Sequence, residues 1–325
     1  MLYRRQVRRY NTYKRKKTML NPHPGLPEFT YVKPASLDEA CGFLVEHAGE
    51  ARLISGGTDL LVRMRDKAFK PAYVVDIKGL EGTDVLAFDP KSGLKIGAAV
   101  PMNRVVAHPD VQKHYPLLAQ AAKSVASYQL RNRATIVGNI CNASPAGDTL
   151  GACLVLSGRL NIYGKDGERF EDLVTFFKGP GKTSLQPDEI VTSISFPLPE
   201  KGAKGTYLKL GRNKLSDLAI VGVTVYGFPD KMTASGFRII VALASVAATP
   251  LMPPVVETIL SEKEITEDTI LEAANASMDA CFPIDDVRGS ARYRKEMVRN
   301  LTRNAITEVW GQLQSRTKNR LEANR

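Results

Sequence analysis

No apolar run in the 325 residues reaches the roughly twenty positions that a membrane-spanning helix needs, so the sequence itself places nothing across a bilayer. Cysteine is scarce. The four present, Cys41, Cys141, Cys153 and Cys281, lie far apart, and no C-x-x-C or Cys/His cluster accompanies them. That spacing excludes an iron–sulfur cluster or structural zinc held by this chain and fits reduced thiols in a cytoplasmic protein. Histidine is equally sparse. His23, His47, His108 and His114 fall in a proline-rich leader, at a helix end and around a helix-to-loop segment, places more suited to surface than to acid–base work. A Gly-x-Ser-x-Gly elbow, a Walker loop and a G-x-G-x-x-G fingerprint are all missing, which removes the common hydrolase, P-loop and Rossmann readings.

Acidic residues are absent from positions 1–18, and this absence explains most of the net charge of +11. Arg4, Arg5, Arg8, Arg9, Lys14, Arg15, Lys16 and Lys17 supply eight of those charges in a segment without apolar periodicity. The tract reads as a nucleic-acid or membrane-binding arm, as a targeting segment, or as leader translated upstream of a natural start at Met19. No hydrophobic stretch follows its arginine pairs, which argues against export. A disordered leader over residues 1–26 is the expectation.

What the sequence does have is two loops of small residues. Ile54-Ser55-Gly56-Gly57-Thr58-Asp59 follows a strand-like Arg52–Ser55 and precedes a helical Asp59–Arg65. Thr135-Ile136-Val137-Gly138-Asn139-Ile140 repeats the same logic and runs into Cys141-Asn142-Ala143-Ser144-Pro145-Ala146-Gly147-Asp148. Glycine permits close backbone approach, and hydroxyl and amide groups supply donors without a basic side chain. This is chemistry for holding a diphosphate through main-chain N–H groups. Two such loops suit one long ligand.

These loops resemble the two flavin-binding motifs of the FAD-binding medium subunits of the molybdenum hydroxylases, the group of xanthine dehydrogenase and carbon monoxide dehydrogenase. Tyr207-Leu208-Lys209-Leu210-Gly211-Arg212 with Asp217-Leu218-Ala219-Ile220-Val221 is similar to the family's segment near the isoalloxazine ring. Val287-Arg288-Gly289-Ser290-Ala291-Arg292-Tyr293-Arg294 is similar to the start of its last helix. The resemblance runs from about Phe29 to Trp310. It implies an α+β protein: a two-lobed FAD-binding domain of the PCMH type (the fold shared with vanillyl-alcohol oxidase relatives), followed by an antiparallel sheet backed by helices. It also implies that Gly56, Gly57, Thr58 and Asp59, with Thr135, Gly138 and Asn139, line the pyrophosphate, and that Ile54, Ser55 and Val137 belong to the same cofactor site. Ser144 and Asp148 would bond the ribityl or ribose portion, and Lys209 and Arg212 would tune the flavin. Asp148 reads equally as a cap on a helix beginning near Thr149, and Lys209 as a strand-end cation paired with Asp217. By the same resemblance, a small subunit with [2Fe–2S] clusters delivers electrons, a large molybdopterin subunit hydroxylates substrate, and this chain passes electrons to NAD⁺ or another acceptor. The missing acid–base constellation fits a protein whose redox chemistry resides in its flavin. A cysteine-bearing insertion typical of the 4-hydroxybenzoyl-CoA reductase branch is not found between Cys141 and Cys153. A free-standing FAD oxidoreductase, and nucleic-acid binding through the basic arm, are the alternatives.

Proline, glycine and charge at Pro197-Leu198-Pro199-Glu200-Lys201-Gly202 place a domain boundary there, and the resemblance then implies a FAD-binding domain over 27–200, split near residue 80, a C-terminal α+β domain over 201–314 and a polar tail over 315–325. A capping box at Ser36-Leu37-Asp38-Glu39 opens the first helix. Strands are predicted at Tyr73–Ile77, Val85–Asp89, Leu94–Val100, Arg159–Tyr163, Ile190–Phe196, Gly205–Leu210, Ala219–Phe228 and Phe237–Ala244. Helices are predicted at Met102–His108, Pro116–Ser127, Pro253–Leu260, Thr266–Cys281 and Ser290–Leu313. In the last of these, Tyr293, Met297, Leu301, Ala305 or Ile306 and Val309 are expected to form the buried stripe.

Overall fold

A computed structural model describes residues 8–9, 25–213 and 217–323. Most of the basic leader, Met19 included, lies outside these residues. One pair, Arg8–Arg9 (β1), is antiparallel to Thr30–Val32 (β2), so the leader is not wholly without structure as expected. The first sheet has the order β1-β2-β4-β3, with Tyr73–Asp76 (β4) parallel to both β2 and Ala51–Ile54 (β3). Helix α1 (Leu37–Glu46) starts where Ser36 Oγ accepts the Glu39 N–H at 3.1 Å. The Glu39 carboxylate reaches back to the Ala35 N–H at 2.7 Å, one residue earlier than a standard capping box would have it. Parallel neighbours cannot be joined by a tight turn, and α2 (Leu60–Arg65) lies in the connection between β3 and β4.

The second sheet is antiparallel throughout. It contains Leu86–Asp89 (β5), Gly93–Gly97 (β6), Arg159–Gly164 (β7), Gly167–Asp172 (β8) and, after the small hairpin Phe177–Gly179 (β9) and Lys182–Thr183 (β10), Ile190–Phe196 (β11). Its order is β5-β6-β11-β7-β8. Six short helices separate β6 from β7: Met102–Ala107 (α3), Pro109–His114 (α4), Pro116–Lys123 (α5), Tyr128–Arg131 (α6), Ile136–Asn142 (α7) and Leu150–Val155 (α8). Three of these, α4, α6 and α7, are absent from the sequence-based expectation. Each has only four to seven residues, too few for the 3.6-residue period to declare itself. A further turn, Leu173–Phe176 (α9), leads into β9.

Lys204–Leu210 (β12), Val221–Pro229 (β13) and Phe237–Ala244 (β14) form an antiparallel meander in the last third of the chain. Strand alternation gives this sheet two buried faces. Val221, Val223, Val225, Ile239, Val241 and Leu243 pack on Pro254–Glu262 (α10), Glu267–Asp279 (α11) and Ala291–Ala323 (α12). Tyr207, Tyr226 and Ala242 face the other way and join the core of the first domain. That seam is tight: a Cβ on Gly151 of α8 would lie 2.4 Å from Thr224 Oγ1.

Helix α12 corrects two expectations. It continues past Leu313 to Ala323, and its buried stripe runs through Val298, Ala305, Ile306, Val309 and Leu313, whereas Tyr293 is 44% exposed. The offset follows from the first turn, where Arg294, only 2% exposed, takes the inward position. Its guanidinium donates to Asp286 and to the carbonyls of Ile220 and Ser245. No helix among the described residues is long and apolar enough to cross a membrane.

Candidate functional site

β3 ends at Ile54, and the chain turns through Gly56 and Gly57 before α2. Gly57 has φ +73°, a conformation that costs any residue with a Cβ. Gly56 has a different reason to be glycine. A Cβ there would sit 2.1 Å from the Arg133 carbonyl oxygen, so the first loop rests directly on the backbone that enters the second. Residues eighty positions apart are thereby brought to one place. Among the described residues the N–H groups of Gly56, Gly57 and Thr58 have no acceptor.

The second loop is not a loop. Thr135 is the N-cap of α7, its Oγ1 accepting the Gly138 N–H at 2.9 Å, and Ala143 closes the helix in the left-handed conformation at φ +46°. Asp59, at the N-cap position of α2, is already helical in φ and ψ, and its side chain makes no cap bond. Burial pushes the Asp59 carboxyl above its ordinary value, with Arg63 and the Asn142 amide pulling it back. The Ser55 hydroxyl is spent on the Ala98 carbonyl at 2.9 Å.

Together these segments wall a cavity of about 630 Å³, within the range that takes a sizeable organic ligand. Ile54, Ser55, Gly56, Gly57, Thr58, Asp59, Thr135, Val137, Gly138 and Asn139 all line it. The donor set suits a diphosphate: free main-chain N–H groups, the Thr58 hydroxyl and the Asn139 amide, with glycine at the closest approach. The residues present therefore fit the diphosphate of a dinucleotide.

Four residues assigned to the site from sequence lie outside that lining: Ser144, Asp148, Lys209 and Arg212. Ser144 Oγ accepts the Ala146 N–H at 3.3 Å within its own turn. Asp148 caps no helix. It accepts from Tyr207 OH at 2.7 Å and from Lys209 Nζ at 2.8 Å, a pair in which the side chains are 7% and 16% exposed. Burial pushes the Asp148 carboxyl up, and the Lys209 ammonium and Tyr207 hydroxyl offset this in part. Lys209 therefore does not pair with Asp217. Asp217 belongs to Arg212, whose hydrogen bonds hold its carboxyl well below the usual range.

Several wall residues were not anticipated. Gly181, Thr183, Leu185, Gln186 and Glu189 close one side, the Gly181 N–H donating to the Ala143 carbonyl. The Lys178-Gly179-Pro180-Gly181-Lys182 turn marks this wall in the sequence, but only as a turn. Arg52 and Arg63 flank the Phe69 ring at 5.7 and 5.0 Å, placing two cations on the same cavity. Cys141 also lines it, its thiol pushed up to about 12 by burial.

Comparison with known proteins gives the following. A family model described as the FAD binding domain in molybdopterin dehydrogenase matches residues 27–199, and one described as the CO dehydrogenase flavoprotein C-terminal domain matches residues 206–309. The carbon monoxide dehydrogenase medium chain of Hydrogenophaga pseudoflava is 32% identical over 284 residues, which is 87% of this chain and 98% of that one. The xanthine dehydrogenase FAD-binding subunit of Escherichia coli O157:H7 is 28% identical, covering 86% and 95%. A solved carbon monoxide dehydrogenase from Hydrogenophaga pseudoflava, one that lacks the Mo-pyranopterin moiety of its cofactor, superposes with a TM-score of 0.84. There the identity is 31% and the coverage 88% and 99%.

Proposed function

Since the chain belongs to the FAD-binding family of the molybdopterin dehydrogenases and is a flavoprotein subunit of an oxidoreductase, we propose that it carries electrons within a molybdenum hydroxylase. In this reading a [2Fe–2S] small subunit delivers electrons, a molybdopterin large subunit oxidises the substrate, and NAD⁺ or another acceptor takes the electrons from this chain. The observation that carries the reading is that the Gly56-Gly57 turn and Thr135–Asn139 line one cavity, with room for nothing larger than hydrogen where Gly56 meets the Arg133 backbone that leads into the second segment.

FAD, when bound, supplies the reversible uptake of two electrons. The chain's own residues hold and insulate it. Gly56, Gly57, Thr58 and Asn139 turn donors toward the diphosphate, and Thr135 uses its hydroxyl to order the first turn of α7. Ile54, Val137 and Leu185 supply the apolar wall that keeps water from those bonds. Lys209, already neutralised in part by Asp148, contributes a buried dipole, while Arg212 is bound to Asp217 and more exposed.

Purification from the native host, followed by an absorption spectrum and metal analysis, tests this. A flavin spectrum overlaid with iron–sulfur absorbance, plus stoichiometric molybdenum or tungsten, is the expected outcome. Flavin without metals would mean a free-standing oxidoreductase, and no flavin would overturn the reading altogether.

A further inference from the structure

Asn139 lies in the cavity wall with its two amide ends in different surroundings. Its Oδ1 accepts the Thr149 hydroxyl at 2.7 Å, and a Cβ on Gly147 would lie 3.0 Å from that same oxygen. The oxygen end is thus enclosed by the turn between α7 and α8. The nitrogen end has no acceptor among the described residues, and Asn139 is one of the residues that line the cavity. An amide reverses its ends easily, and reversal here would turn a lone-pair oxygen toward a ligand of negative charge.

Resting on the flavin reading above, we infer that Thr149 is a positioning residue for the cofactor. Its hydroxyl, fully buried, fixes the Asn139 amide so that Nδ2–H faces the diphosphate. Thr149 never touches the ligand. It in turn is held by its neighbour: Asp148 is tied to Tyr207 and Lys209 of β12, so the C-terminal domain sets the amide through two adjacent residues. Neither α7 nor α8 needs to contribute a helix dipole for this to work. A hydroxyl can accept as well as donate, but the Thr149 proton has no other acceptor among the described residues, so donation to Oδ1 is the arrangement that leaves it paired.

The test compares Thr149→Val, which keeps the shape and removes the hydroxyl, with Thr149→Ser, which keeps the hydroxyl. FAD affinity of the apo-protein is read from quenching of flavin fluorescence, and the ³¹P resonances of the bound diphosphate report its hydrogen bonding. Thr149→Val should weaken FAD on the order of tenfold, as expected for a lost hydrogen bond to a charged group, and shift the ³¹P signals. Thr149→Ser should restore both. Binding by Thr149→Val within twofold of the parent would overturn the inference, as would equal loss in both variants, which would assign the residue to packing. If the unsubstituted chain binds no FAD, it is the flavin reading itself that has failed.

Discussion

Gly56→Ala offers the sharpest test of the site, because the structure gives the size of the collision. The new Cβ would meet the Arg133 oxygen at 2.1 Å and the Arg133 carbonyl carbon at 2.8 Å, and both atoms are backbone. No side-chain rotation relieves such a contact. To recover ordinary van der Waals separation the two turns must part by roughly an ångström. A shift of that size takes N–H···O bonds of about 2.9 Å out of hydrogen-bond range for whichever turn moves. If two bonds to the diphosphate are lost, at about 1.5–3 kcal/mol each for a charged acceptor, FAD affinity falls by about 10²–10⁴-fold. Titration of apo-protein with FAD, beside a thermal melt, measures both affinity and fold. Gly57→Ala is the comparison: its φ of +73° carries a penalty of about 1–2 kcal/mol, but the nearest atom is the end of the Ile54 side chain at 3.0 Å, which can move. Gly56→Ala should therefore be the more damaging to flavin binding. If it binds FAD within threefold of the parent, the two turns do not share a ligand as argued.

Asp286→Asn should cost about 3 kcal/mol or more in a denaturant melt, since it leaves the Arg294 guanidinium buried without its anion; an unchanged midpoint would refute this. Hydrogen bonds from Arg288 and Arg294 hold the Asp286 carboxyl well below its ordinary value. Its contribution is therefore complete above the unfolded carboxylate range near pH 4 and is lost as pH falls below it, so the parent should lose stability on acidification more steeply than Asp286→Asn. Lys209→Ala removes the ammonium beside Asp148 and should lower the flavin midpoint potential or slow reoxidation; unchanged values would remove Lys209 from electron transfer.

The two glycine-bearing turns that meet on the cavity were legible because their chemistry is local. A glycine pair after a strand, and a threonine three residues ahead of Gly138, announce themselves without knowledge of the fold. The α+β class and its antiparallel C-terminal sheet were implied by the family resemblance, and long strands such as Val221–Pro229 were legible from their β-branched and aromatic residues. What could not be read depended on partners distant in sequence. Asp148 and Lys209 are sixty-one residues apart, and nothing in either segment distinguishes that pairing from Lys209 with Asp217. Arg52 and Arg63 look like solvent-facing cations until Phe69 folds between them. The stripe of α12 was misplaced because pattern reasoning assigns tyrosine inward and arginine outward, whereas here Asp286 and two carbonyls make the arginine the better buried residue.

The bond from the Ser245 N–H to the Pro145 carbonyl joins the turn after α7 to the end of β14, at a residue held at φ +67°. With Tyr207 on Asp148, it means that the turn behind Asn139 is anchored by strands synthesised sixty to a hundred residues later. A chain that ended before β12 would lack both bonds, so the hold on the turn behind Asn139 is supplied by the C-terminal sheet rather than by the segment that contains it.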